Sequence, residues 1–344
     1  MSAATDTTDV DPVRFGVLGA ASVAWRRMLP ALSGLPGVEI AAVASRDLAK
    51  ATRFTDRFGG VPIRGYDELL ARPDVDAVYL ALPNGLHHEW AAAALRAGKH
   101  VLGEKPMTTS AADTEDLLRL AERRNLVLRE NFAFAHHPLH GVVSDLLDRG
   151  RLGALRHLTG SFCYPGRPAD DVRNRADLGG GALLDAGVYP LRLAQFLLGD
   201  KDRLEVTGAV LRVDRGSGLD VSGSALLVAR TGVIVTAEFG FEHSYASRYQ
   251  LWGAGARLTV DRAFAPPPQH RPVLRIDEQD HTEELVLAGA DQHAGSAAAF
   301  ADAVRATRYG APGGPRDAAA TLRTAELVDE IRAIARRIPV SGGG

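Results

Sequence analysis

At 344 residues the chain is long enough for one large domain or two ordinary ones, and its 46% apolar content supplies an ample core. A net charge of −2 with no basic tract gives no electrostatic support for binding nucleic acid or a membrane surface. The single cysteine, Cys163, excludes an intrachain disulfide framework and a cysteine-rich metal site, which fits a reducing cytoplasm. The polar, acidic opening MSAATDTTDVDP reads as neither a signal nor a transit peptide, and 1–12 are expected to form a disordered tail. No apolar run approaches the roughly 18 residues of a membrane span.

Arg14–Leu18 reads as a short buried strand that ends in Gly19-Ala20-Ala21-Ser22, with a helix expected from Val23 to about Leu32. Strand, small-residue turn and helix are the context of a dinucleotide fingerprint, although Ala21 stands where glycine usually lets the backbone approach a pyrophosphate. The next strand, Glu39–Ala44, runs into Ser45-Arg46. An NAD site usually places an acid there to bind the ribose 2′-hydroxyl, whereas a hydroxyl and a guanidinium suit a 2′-phosphate, so NADP(H) is preferred. The alternative is that Ser45 caps the helix Asp47–Phe58 and Arg46 is merely solvated. Asp76–Leu80 is the third strand and leads into Leu82-Pro83-Asn84-Gly85-Leu86-His87, followed by an alanine-rich helix to Ala97.

Val101-Leu102 ends a further strand at Glu104-Lys105-Pro106, with helix Ala111–Arg123 and strand Leu126–Arg129 beyond it. Strands alternating with helices predict a parallel, doubly wound sheet, whose ligands lie outside the carboxyl ends of its strands. Lys105 and His87 both fall on that edge.

The alternation stops near Asn131. Helix His137–Arg149 precedes strands at Leu155–Tyr164, Glu205–Val213, Ser222–Ala229, Val233–Phe239, Tyr249–Trp252, Arg257–Val260, Val273–Ile276 and Glu283–Leu287. This pattern predicts a mostly antiparallel sheet, so the whole reads as α/β followed by α+β, divided into 13–132 and 133–344. Two helices close the chain, Ala294–Arg308 and Pro315–Arg337, the last with Leu327, Ile331, Ile334 and Ile338 as a packing stripe. Between the strands lies Gly179-Gly180-Gly181-Ala-Leu-Leu-Asp185-Ala-Gly-Val-Tyr189. A helix after the glycines puts Asp185 and Tyr189 on one face, because residues four apart are neighbours. They can offer two hydrogen-bonding groups to a ligand, or Tyr189 packs in the core and Asp185 merely favours the helix start.

Taken in order, Gly19-Ala-Ala-Ser22, Pro83-Asn84-x-x-His87, Glu104-Lys105-Pro106 and Gly179-Gly-Gly-Ala-Leu-Leu-Asp185-x-Gly-x-Tyr189 resemble the Gfo/Idh/MocA oxidoreductases, from about Val13 to Ile338. The resemblance implies a Rossmann domain, a C-terminal α+β domain whose open sheet makes a homodimer or homotetramer interface, and a catalytic lysine at Lys105. Many members carry histidine where this chain has Tyr189. Ala24-Trp25-Arg26-Arg27-Met28-Leu29-Pro30 and Glu130-Asn131-Phe132-x-Phe134-x-His136-His137-Pro138 are similar to the branch of NADPH-dependent sugar 3-ketoreductases of deoxysugar pathways for antibiotics. By that resemblance the substrate is a dTDP-3,4-diketo-2,6-dideoxyglucose. The family also includes NADP-dependent free-sugar and dihydrodiol dehydrogenases, and non-catalytic sugar-pathway regulators.

The resemblance implies cofactor contacts at Gly19, Ala20, Ala21, Ser22, Val23, Ser45, Arg46, Tyr66, Leu82, Asn84, His87, Glu104 and Arg173. Substrate contacts are expected at Arg26, Lys105 and Tyr189. A ketone receiving hydride develops alkoxide charge, which a cation and a proton donor stabilise. Lys105 is the expected cation and Tyr189 the expected final donor, with Lys105 favouring its ionised form; the reverse assignment of donor stays open. Asp185 is expected to orient the sugar or the lysine, and Glu104 to position Lys105.

Overall fold

The computed structural model describes residues 11–168, 170–199 and 202–341. Most of the expected N-terminal tail lies outside them; of it, the Asp11 and Pro12 carbonyls accept hydrogen bonds from Arg308 at 2.6 and 3.0 Å. The first layer begins with β1 (Val13–Leu18), helix α1 (Leu29–Ser33), β2 (Val38–Ser45), α2 (Leu48–Phe58), β3 (Val61–Arg64) and α3 (Asp67–Leu70). It continues with β4 (Ala77–Leu80), α4 (His87–Arg96), β5 (His100–Glu104), α5 (Ala111–Arg124) and β6 (Leu128–Asn131). The strands form one parallel sheet in the order β3-β2-β1-β4-β5-β6, so the crevice where the order reverses lies between β1 and β4.

Sequence patterning left β3 and α3 unassigned, because a four-residue edge strand containing Pro62 and preceded by Gly59-Gly60 carries little periodicity. β6 begins two residues later than expected. The first helix also differs, since a π-type turn over Ala24–Met28 precedes α1, with the Leu29 N–H bonding the Ala24 carbonyl five residues back. Pro30 follows at once and has no N–H to close the ordinary ladder onto Arg26.

After α6 (Pro138–Asp148) comes β7 (Leu155–Cys163), then α7 (Val188–Leu198), preceded by a second π-type turn over Leu183–Gly187 with Pro190 just beyond it. The second sheet adds β8 (Leu204–Asp214), β9 (Asp220–Ala229), β10 (Ile234–Gly240), β11 (Ala246–Gly253), β12 (Arg257–Asp261), β13 (Val273–Asp277) and β14 (Thr282–Val286). Helices α8 (Gln292–Arg308) and α9 (Ala318–Ile334) and strand β15 (Arg336–Val340) close the described chain. The order is β14-β13-β12-β11-β7-β10-β9-β8-β15, with β7–β10 and β8–β15 parallel and the other pairs antiparallel. Its inner face packs on α7 and α9.

The end of the chain corrects an expectation. The last helix stops at Ile334, and Ile338 belongs to an edge strand rather than to the packing stripe, with 42% of its surface exposed. Pro339 lacks an N–H and biases Ile338 toward extended backbone, which an edge strand accepts. Leu327 and Ile331 are buried as the spacing predicts, whereas Ile334 is exposed. Among the described residues no helix is long and apolar enough to cross a membrane.

One helix crosses over. Ala297, Phe300, Ala301 and Val304 of α8 complete the core of the first sheet beside Phe15 and Val17, and the Phe300 and Phe15 rings lie 5.8 Å apart. Truncating a fully buried phenylalanine costs about 3–5 kcal/mol through lost transfer energy and the cavity left behind. We therefore expect Phe300→Ala to lower stability by that amount. A loss of unfolding free energy below about 1 kcal/mol in chemical denaturation would contradict a substantial contribution of Phe300 to the first domain's core.

Candidate active site

A cleft of about 1140 Å³ opens at the carboxyl ends of β1, β4 and β5 and is closed on its far side by residues of the second sheet. Its floor begins at Gly19, where φ is +105° and a Cβ would stand 2.5 Å from the Ala81 carbonyl oxygen, so only glycine fits. Ala20, Ala21, Ser22 and Val23 continue the wall, with Leu82 and Asn84 opposite. The small turn on the crevice edge leaves backbone room for a pyrophosphate, as a dinucleotide requires. At the outer end Ser45, Arg46 and Tyr66 line the cleft together with Arg27 and Lys50, which sequence reading missed. Lys50 was discernible as a second cation four residues after Arg46, in the first turn of α2. The Ser45 hydroxyl accepts from the Asp47 N–H at 3.2 Å, and Asp47 rather than Ser45 caps α2. This corrects the alternative reading of Ser45 as the cap.

Lys105 stands where β5 ends. Its Nζ donates to the Asp185 Oδ1 and to the Asp185 backbone carbonyl, both at 2.8 Å, leaving one of the three ammonium hydrogens uncommitted. Asp185 also accepts from Tyr164 Oη and, at 2.7 Å, from Arg173 Nε. Burial would raise the Asp185 carboxyl, but the Lys105 and Arg173 charges and the hydrogen bonds from Lys105 and Tyr164 outweigh it and hold it well below the usual carboxylate range. Burial and the Asp185 charge in turn push the Tyr164 hydroxyl far up. Three hydrogen bonds thus tie the Asp185 carboxylate to Lys105, Tyr164 and Arg173 at the wall of the cleft. Arg173 lines the cleft but spends its Nε on Asp185 and its Nη1 on Asp171, at 3.1 Å.

Tyr189 lies one turn beyond Asp185, ringed by Phe132, Phe162 and Phe264 at centroid distances of 5.7, 4.7 and 5.5 Å. Lys105 Nζ sits 5.1 Å from the centre of its ring. The Tyr189 hydroxyl makes no hydrogen bond to a described residue and lines the cleft. Burial, then the negative charges of Glu104 and Asp185, push it well above the ordinary tyrosine range. The expectation that Lys105 favours tyrosinate thus meets the opposite balance, and the group stays protonated. Glu104 lines the cleft while its Oε1 accepts from Tyr79 Oη and Asn131 Nδ2, each at 2.7 Å.

Two expected contacts are not in the cleft. His87 is fully buried, with its ring nitrogens 2.8 Å from the Pro106 and Leu82 carbonyl oxygens, and burial lowers its pKa. It braces the two loops behind the cleft instead of touching a cofactor. Arg26 is exposed outside the lining, and its neighbour Arg27 faces in. Tyr164, Arg167, Tyr245 and His293 of the second domain also line the cleft, and sequence reading missed them because the first three sit at strand ends and loops without a motif and His293 sits in the first turn of α8.

Two family models match the chain: one described as an oxidoreductase family with an NAD-binding Rossmann fold, over residues 13–132, and the GFO/IDH/MocA C-terminal domain, over residues 142–259. A protein of Streptomyces violaceoruber named dTDP-3,4-didehydro-2,6-dideoxy-alpha-D-glucose 3-reductase is 52% identical over 97% of this chain and 98% of its own. A 3-ketoreductase from Actinomadura kijaniata, solved with NADP and TDP-benzene, matches at TM-score 0.91 and 49% identity, over 96% of this chain and 99% of that one. A Haloferax volcanii protein named D-xylose 1-dehydrogenase (NADP(+)) 2 is 36% identical over 74% of this chain and 77% of its own.

Breaking one side of a buried ion pair costs about 3–5 kcal/mol. Asp185→Asn is expected to lose that much stability at pH 7. A depressed carboxyl stabilises fully only above its ordinary pKa of 3.8, and the contribution is lost as pH falls below it. The gap between parent and variant should therefore narrow from pH 7 to pH 3 in chemical denaturation. A gap independent of pH would contradict the charged assignment of Asp185.

Proposed function

The chain belongs to the Gfo/Idh/MocA family of oxidoreductases, and we propose that it reduces the C3 ketone of a dTDP-3,4-diketo-2,6-dideoxyglucose at the expense of NADPH, leaving the 4-keto sugar with a 3-hydroxyl. The observation that carries the chemistry is the uncommitted N–H of Lys105, 5.1 Å from the centre of the Tyr189 ring, in a cleft that both residues line. The sugar is the one in the names of relatives about half identical over nearly the whole chain.

Gly19, Ala21 and Ser22 suit the pyrophosphate, and Ser45, Arg46, Lys50 and Arg27 suit a 2′-phosphate, which accepts bidentate and point-charge donors alike. Bound there, NADPH supplies a hydride to the sugar carbon. The chain's own residues handle the oxygen. Lys105, held by Asp185, keeps a positive charge against the growing alkoxide. Such fixed charge is worth more in a water-poor cleft than in solvent. Tyr189, protonated because of its burial, gives the proton. The aromatic ring around it excludes water from that side.

If both groups act on one oxygen, Tyr189→Phe should lower kcat by about 10²–10⁴-fold with NADPH affinity nearly unchanged. Lys105→Ala should cost at least as much, and the double variant should be little worse than the worse single one. The measurement is single-turnover NADPH oxidation with the diketo sugar generated in place by its upstream dehydratase. Near-parental turnover by Tyr189→Phe would make Lys105 the donor. A parent inert toward that sugar but active on free sugars would transfer the reading to a sugar dehydrogenase, the activity named for the Haloferax relative.

Arg46→Ala should weaken NADPH binding by roughly tenfold, the worth of one charge-assisted contact of about 1.4 kcal/mol, and leave NADH nearly unaffected. Equal losses by isothermal titration would remove the phosphate role.

For assembly, Leu226, Ile234, Trp252, Val273 and Val286 lie exposed along the outer face of the second sheet. Five large apolar side chains exposed on one sheet are more than a monomer's surface needs, and we assign this face to a homodimer or homotetramer interface, in the cytoplasm. Light scattering at working concentration should give two or four copies, and Trp252→Glu should shift it toward one.

A further inference from the structure

We propose that Glu130 is a positioning residue that fixes Lys105 relative to Tyr189 by tying the lysine's loop to the tyrosine's helix; this rests on the reductase reading above. Glu130 is the penultimate residue of β6, with only 2% of its side chain exposed. Its Oε1 accepts from the Met107 N–H at 2.8 Å, two residues past Lys105. Its Oε2 has no hydrogen-bond partner and lies 3.8 Å from Arg192 Nη1, which also lacks one. Arg192 sits on α7, three residues past Tyr189. Its guanidinium lies 5.3 Å over the Phe132 ring, and Phe132 meets Tyr189 edge-on at 5.7 Å. One buried carboxyl thus connects both reacting side chains from behind.

Packing leaves a gap beside this link. A cavity of about 10 Å³ lies between the loop and the helix, bordered by Pro106, Met107, Thr108, Glu130, Leu184 and Val188. That is room for about one water. A charge buried there costs free energy that an apolar residue would not, unless it is paired. Burial pushes the Glu130 carboxyl up, and Arg192 and the Met107 N–H oppose that rise. A misplacement of about 1 Å from such a distance can cost on the order of 10² in rate.

The test compares Glu130→Ala, Glu130→Gln and the pair Glu130→Ala/Arg192→Met, which leaves no orphaned charge. The readouts are single-turnover kcat, NADPH affinity and hydrogen–deuterium exchange of the amides at 105–109. We expect Glu130→Ala to lose tenfold or more in kcat with NADPH affinity within threefold, and its Met107 region to exchange at least tenfold faster. Glu130→Gln, whose carbonyl still accepts from Met107, should recover part of both. The double variant should fold as well as the parent yet stay slow. A Glu130→Ala or double variant within threefold of parental kcat would overturn the proposal. So would loss of NADPH affinity in step with kcat. Should Glu130→Ala fail to fold, Glu130→Gln and the double variant decide it by the same limits. Should the parent not turn over the sugar, the reductase reading fails, while the exchange arm still reports whether Glu130 holds the loop.

Discussion

The carboxylate of Asp185 is the point on which the site depends. A buried charge is tolerated only when paired and hydrogen-bonded, and Asp185 draws its partners from three separate stretches of chain: Lys105 after β5, Tyr164 after β7, and Arg173 in the loop before the glycine triplet. Each arrives from a different direction, so satisfying the carboxylate fixes the first sheet's edge against the second domain. The same pairing holds the Lys105 ammonium at the cleft wall, 5.1 Å from the centre of the Tyr189 ring.

The glycine triplet serves the same end. A Cβ on Gly179 would stand 2.8 Å from the Gly85 nitrogen and 2.7 Å from the Thr109 methyl, and a Cβ on Gly180 would meet the Arg173 carbonyl at 2.3 Å. The Gly179 carbonyl in turn accepts from Asn84 Nδ2 at 3.0 Å. The triplet lets two backbones touch across the domains, a stronger requirement than the flexible entry expected from sequence.

Much of this was legible in the chain. The turn after β1, Ser45-Arg46, Lys105 and the Asp185–Tyr189 pair are local patterns, in which strand, turn and helix signals sit within a few residues of the side chain that matters. What escaped reading is non-local. The role of His87 depends on two carbonyls that folding alone brings to either side of its ring. Tyr164 and His293 reach the cleft from the second domain, one just past β7 and one in the first turn of α8, where local periodicity does not show what stands opposite. Arg26 and Arg27 are neighbours on a turn whose π geometry shifts which side chain faces inward. The final strand reads as helix from sequence because Leu327 and Ile331 do follow a helical period, and only Pro339 marks the change.

The crossing of α8 has a consequence for how the protein comes into being. A nascent chain whose Rossmann strands have all left the ribosome still lacks Ala297, Phe300, Ala301 and Val304, so Phe15 and Val17 have no cover on that side. The first domain therefore waits, incomplete, through the synthesis of roughly half of the polypeptide, including every strand of the second sheet but β15. Domains generally fold as units in the order of their synthesis; here the first unit closes almost last. Its exposed apolar surface during that interval is a natural target for chaperones, and a fragment cut after the first sheet would be a poor stand-in for the domain it encodes.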